Sequence, residues 1–74
     1  MSEQTLNTIA FMTMVISLFS RKYRVAEAVA YHYLRKFGAT ALMIEHYDYL
    51  HTQDYEQVVD DLADYCRRHG GTLK

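Results

Sequence analysis

Seventy-four residues suffice for one domain and not for two, because so short a chain cannot supply two hydrophobic cores. A single cysteine, Cys66, excludes a disulfide framework, and a net charge of −1 removes any global electrostatic case for nucleic acid or an anionic membrane. Proline is absent and glycine occurs only at Gly38, Gly70 and Gly71, so few turns are forced and helices are favoured over many short strands.

The first helix is predicted over residues 6–20. Ile9, Met12, Ile16 and Phe19 form one stripe at helical spacing, and Phe11, Val15 and Leu18 form a second beside it. A helix apolar over so much of its circumference is either central in the fold or shared with another chain. The apolar run at its heart, residues 9–19, is interrupted by Thr13 and Ser17 and falls well short of the about 20 residues a membrane span needs. Glu3 precedes the run and Arg21 and Lys22 follow it, the reverse of a signal peptide's charge order.

A second helix is expected over residues 25–37, burying Ala26, Val29, Ala30, Tyr33 and Phe37 with Leu34 at the edge, and ending at Gly38. A short third helix follows over residues 40–47, with Thr40 as its N-cap and Leu42, Met43 and Ile44 as its apolar contacts. Residues 48–51 read as an irregular turn. The fourth helix is the clearest: Thr52 or Asp54 caps it, acidic residues fill its first turns, and Arg67, Arg68 and His69 close it before Gly70-Gly71. Its inward face is Tyr55, Val58, Val59, Leu62, Tyr65 and Cys66. The expected fold is therefore all-α, a compact bundle of about four helices without a sheet. It forms one domain over residues 1–74, with disordered ends at about 1–4 and 71–74.

The densest polar and aromatic stretch is Glu45-His46-Tyr47-Asp48-Tyr49-Leu50-His51-Thr52. Glu45, His46, Asp48 and His51 are the residue types that hold a divalent metal, but their spacing across a helix end matches no zinc pattern. The ordinary alternative has His46 and His51 bonding backbone groups left open at the adjoining helix ends. A third reading makes the stretch a partner-binding surface of Glu45, His46, Tyr47, Asp48 and His51, joined by the acidic residues Asp60, Asp61 and Asp64. Charge is unevenly spread: five basic residues against one acidic lie between positions 21 and 36, and seven acidic ones lie between 45 and 64. Attraction between neighbouring helices accounts for this as well as an acidic recognition face does.

Cys66 and His69 share a helical face, but the thiol sits in the last turns, where the helix dipole opposes a thiolate, so an inert cysteine is expected. Helices two and three around Gly38 have a helix-turn-helix outline. The candidate recognition helix carries no Arg or Lys, which disfavours nucleic acid. No phosphate loop, serine triad or paired-carboxylate arrangement is present, so neither a catalytic residue nor a cofactor is expected and the chain reads as a non-enzyme.

Lys36-Phe37-Gly38-Ala39, Ile44-Glu45-His46-Tyr47-Asp48, Leu50-His51-Thr52-Gln53 and Val58-Val59-Asp60-Asp61 together resemble a bacterial domain-of-unknown-function family of small helical proteins. The resemblance covers about residues 7–66 and is most specific over the I-E-H-Y-D-x-L-H-T-Q type stretch, residues 44–53. It departs where the second helix begins, since the family favours a serine or asparagine cap and this chain has Arg24-Val25. The family has no assigned activity. An association with toxin-like ADP-ribosylating domains implies an antitoxin-like or accessory role toward a neighbouring gene product.

The expected function is thus a small cytoplasmic protein-interaction module. The alternative is a homodimeric structural protein whose self-association residues are Phe11, Met12, Val15, Leu18 and Phe19. Metal-binding and nucleic-acid-binding domains rank below both, and no membrane is involved.

Overall fold

The computed structural model describes residues 2–71, which form five helices and no strand. In chain order these are α1 (Glu3–Tyr23), α2 (Glu27–Lys36), α3 (Ala39–Glu45), α4 (Tyr47–Leu50) and α5 (Tyr55–Arg68). The all-helical expectation holds. The fourth predicted helix is α5, and an extra one-turn helix, α4, begins at Tyr47, the last residue of the predicted third helix, and takes up most of the segment read as an irregular turn.

The first helix runs longer than predicted at both ends. Ser2 caps it: the Ser2 hydroxyl oxygen accepts the Thr5 amide at 3.1 Å, and Glu3 lies in the positive first turn. Residues 3 and 4, expected to be disordered, are therefore helical; Met1 and residues 72–74 lie outside the described residues. At the other end Arg24 adopts the left-handed conformation (φ 57°), and the Val25 amide reaches back to the Ser20 carbonyl at 3.0 Å. That closing bond is a Schellman pattern built without glycine.

The second helix begins at Glu27, two residues later than predicted, and its N-cap position, Ala26, offers no side-chain bond. Gly38 (φ +85°) ends it as expected and also stands at the N-cap position of α3, so Thr40 lies inside the helix and is not its cap. α3 stops at His46, whose φ of −111° breaks the helix. The chain resumes helical hydrogen bonding at once, with the Tyr49 and Leu50 amides donating to the His46 carbonyl at 3.1 and 2.9 Å. Asp54 precedes α5 without a side-chain cap bond, and the Thr52 hydroxyl instead donates to the Tyr49 carbonyl at 2.7 Å. Gly70 (φ +90°) and Gly71 close α5 in a second Schellman pattern, with amide bonds to Arg67 and Cys66 carbonyls at 3.1 and 2.9 Å. Gly71 is buried, so the tail placed in the disordered end is docked at least to that residue.

The core collects Phe11, Val15 and Phe19 from α1, Ala30 and Leu34 from α2, and Ala39 and Met43 from α3. Leu50 of α4 joins Val58, Val59, Leu62, Ala63 and Cys66 of α5 to complete it. α1 packs against α2, α3 and α5, so it is central on one side. An aromatic chain ties α1 to α2: Phe19 lies 5.9 Å from Tyr33 between ring centroids, and Tyr33 lies 5.1 Å from Phe37. A second group ties α1 to the opposite end. Tyr47 meets Phe11 edge-on at 5.5 Å, and Tyr55 stacks on it at 5.8 Å.

Several apolar residues assigned inward are exposed. Ala26, Val29 and Ile44 face water and Tyr55 is 42% exposed while still stacking on Phe11, whereas Leu34, placed at an edge, is fully buried. On α2 the buried line is Ala30–Leu34, one residue round from Val29. Hydrophobic periodicity sets the width of a helix's apolar stripe, and the neighbours it docks against set its rotation.

Candidate interaction surface

The segment singled out in the sequence becomes the C-terminus of α3, the break at His46 and the single turn α4. Its base is anchored. The Tyr47 ring packs on Phe11, and the His51 imidazole stacks on Tyr47 at 4.5 Å with an interplanar angle of 13°. His51 Nδ1 lies 2.8 Å from the Tyr47 carbonyl oxygen, which can only accept, so Nδ1 carries the proton there. His51 thus bonds the backbone, though at a carbonyl that also accepts its own amide at 3.0 Å and not at one left open. His46 does not: its Nε2 lies 3.4 Å from Glu45 Oε1 in an exposed contact.

What projects from this anchored base is Ile44, Glu45, His46, Asp48 and Tyr49, all exposed. Ile44 at 60% and Tyr49 at 65% are the two most exposed large apolar side chains among the described residues. The stretch singled out in the sequence, residues 45–52, contains Glu45, His46, Asp48 and Tyr49 of this surface; Ile44 falls outside it because the sequence places it among the apolar contacts of the third helix. Ile44 also borders a shallow depression with Ile9 and Met12 of α1.

The acidic residues of α5 do not join this surface as one patch. Asp60 pairs with Lys22 across the α1–α5 seam, and its hydrogen bond holds the Lys22 ammonium's pKa above its usual value. Asp64 is engaged from its own helix by Arg68 at 3.0 Å and Arg67 at 3.5 Å. Asp61 accepts from Gln57 at 2.9 Å. Of the four acidic residues of α5, two are therefore compensated by cations among the described residues, Asp60 from the neighbouring helix and Asp64 from its own. Such exposed pairs contribute little stability.

Of the self-association set, Phe11, Val15 and Phe19 are buried inside the chain and are not available to another molecule, while Met12 and Leu18 are half-buried. The side of α1 that does face outward carries Leu6, Ile9, Ala10, Thr13 and Met14, all exposed.

Cys66 is fully buried, and burial pushes its thiol pKa up to about 11. His69 is turned away from it in function, since its Nδ1 bonds the Tyr65 carbonyl at 2.8 Å and its ring packs on Tyr65. A protonated, enclosed thiol is a packing group, and no nucleophile–base pair forms there. Among the described residues no three His, Cys, Asp or Glu side chains gather as metal ligands would. No described helix is long and apolar enough to cross a membrane.

Fold and surface together define a small all-helical domain whose distinctive chemistry is displayed apolar and aromatic area. Residues 10–69 match the family described as Protein of unknown function (DUF3791), and the chain belongs to that family. Neither a curated protein nor a solved structure matches the chain.

Proposed function

We propose that the protein is a protein-interaction domain that engages its partner through the surface spanning residues 44–51. The observation that carries this reading is the pairing of exposed Ile44 and Tyr49 with a rigidly anchored base. Tyrosine is enriched among the residues that carry most binding energy at interfaces, an apolar neighbour such as Ile44 helps exclude water around it, and display on a pre-ordered turn lowers the entropy lost on association. Glu45, His46 and Asp48 frame the two apolar groups with polar ones, the composition of an interface rim. Of Asp60, Asp61 and Asp64, Asp61 is the one left to assist in charge terms, because Asp60 and Asp64 already have cations.

The partner in this reading is a product of a neighbouring bacterial gene, held in an antitoxin-like or accessory complex in the cytoplasm, where Cys66 stays a thiol. The test is recovery of partners from host lysate with tagged wild-type and Tyr49→Ala chains, read by mass spectrometry and light scattering. A stoichiometric second protein that Tyr49→Ala loses by at least about tenfold is expected for an interface anchor. A partner held equally well by Tyr49→Ala and Ile44→Ser, or no second protein at all, overturns the reading. Both side chains are exposed, so circular dichroism should show the two variants as helical as wild type.

A further inference from the structure

The outward side of α1 has no charged residue between Glu3 and Arg21. Leu6, Ile9 and Met14 are about half exposed there, and Ala10 and Thr13 lie between them. Thr13 adds to the apolar character, since its hydroxyl donates to the Ile9 carbonyl at 2.8 Å and is thereby satisfied within the helix. α1 has 21 residues, which at about 1.5 Å per residue spans roughly 30 Å. It therefore runs most of the domain's longest extent of 36 Å.

The order of residues along this side says what covers it. Glu3, Asn7, Ala10, Met14, Ser17 and Arg21 alternate in steps of four and three, the spacing that keeps a stripe in line along a helix packed against another. All six are exposed except Ser17, which is half-buried. Reversing the stripe about its midpoint matches acid with base, polar with polar and small with large. Glu3 meets Arg21, Asn7 meets Ser17, and Ala10 meets Met14. Among the described residues neither Glu3 nor Arg21 has an ion-pair partner within its own chain.

We propose that this face is the seam of a two-fold homodimer in which α1 pairs antiparallel with α1 of a second copy. In that register Glu3 faces Arg21 of the partner subunit, Asn7 faces the partner's Ser17, and Ala10 receives the partner's Met14. A two-fold contact is isologous, so each pairing occurs twice and the patch must be complementary to itself, which this stripe is. Leu6 and Ile9 flank one edge. Tyr49 is not among the seam residues, and although Ile9 at the seam's edge borders the same depression as Ile44, the test is read on Glu3, Ala10 and Arg21, none of which lines that depression. One helix-wide contact is small against the about 800 Å² per partner of standard stable complexes, so the dimer is expected to dissociate on dilution.

The experiment is sedimentation equilibrium of the full chain under reducing conditions at low salt, from about 10 µM to 1 mM, a range suited to weak interfaces. Wild type should show a reversible monomer–dimer equilibrium. Glu3→Arg and Arg21→Glu should each weaken it about tenfold, because each places like charges opposite one another twice. The double variant Glu3→Arg/Arg21→Glu should return to within about threefold of wild type. Each single change also opposes the helix dipole of its own chain, but that effect would add in the double variant, whereas pairing is restored. Ala10→Arg should leave the chain monomeric with unchanged helicity, since Ala10 is exposed in the single chain. A monomer throughout the range overturns the proposal. So does a dimer that the double variant fails to restore or that Ala10→Arg leaves intact.

Discussion

Val15 and Met14 are neighbours in sequence, about 100° apart around α1 and on either side of the boundary between its buried and exposed faces, and replacing each with aspartate tests the fold directly. Val15 is fully enclosed by the core, whereas Met14 is 46% exposed. Val15→Asp forfeits about 1.5–3 kcal/mol of apolar burial. It also puts a carboxyl where the surrounding cluster is hydrophobic, and a buried polar group without a partner costs a further 2–7 kcal/mol or so. A chain of this length is stable by roughly 4–11 kcal/mol, so Val15→Asp should be largely unfolded at room temperature. Met14→Asp should cost only about 1 kcal/mol, mostly helix propensity, and shift the melting temperature by under about 8 °C. The assay is thermal and urea unfolding followed by far-ultraviolet circular dichroism at low micromolar protein, which keeps the chain monomeric. A Val15→Asp chain that melts within a few degrees of wild type would refute the rotation of α1 described here. So would a Met14→Asp chain as damaged as Val15→Asp.

Two further outcomes follow from the closed end of the bundle. A Cβ at Gly71 would stand 2.8 Å from the Tyr33 hydroxyl, 2.9 Å from the Cys66 carbonyl oxygen and 3.0 Å from Phe37 Cε2. Gly71→Ala should therefore destabilise the domain by about 1–3 kcal/mol in urea unfolding, and a change below about 0.5 kcal/mol would mean that the tail is undocked. Stability should also fall in alkali. The Cys66 thiol pKa is about 11 in the fold against 9.0 for the free group. The neutral-thiol contribution is complete below pH 9 and is lost as the unfolded chain ionises first between those values, for a loss of about 2–3 kcal/mol by pH 11. Tyr33, also raised mainly by burial, acts in the same direction. A Cys66→Ala chain should show a shallower alkaline decline, and an identical decline would place the effect elsewhere.

Local sequence determined the helical content, the stop at Gly38 and the inward line of α5. Each of these depends on groups within a few residues of one another. A left-handed glycine ends a helix wherever it falls, and Val58, Val59, Leu62 and Cys66 lie on one side of any helix drawn through them. The polar members of the displayed surface were legible for the same reason, as a dense run from Glu45 to His51. The resemblance to a family of unknown function was legible as well, and residues 10–69 match one.

Tertiary structure decided which way each helix turned. α1 is apolar nearly all round, so its sequence could not say whether Phe11, Val15 and Phe19 or Leu6, Ile9 and Met14 would face inward. Packing against α2, α3 and α5 chose the first set and left the second outside. The one-turn α4 is docked by Tyr47 on Phe11, distant in sequence, and by buried Leu50, with Tyr49 left in solvent. The acidic residues of α5 looked like one face until Lys22 claimed Asp60 from across a helix seam. Rotation, docking and long-range pairing depend on contacts between residues far apart in the chain, and no local pattern encodes which of several apolar sides will be covered.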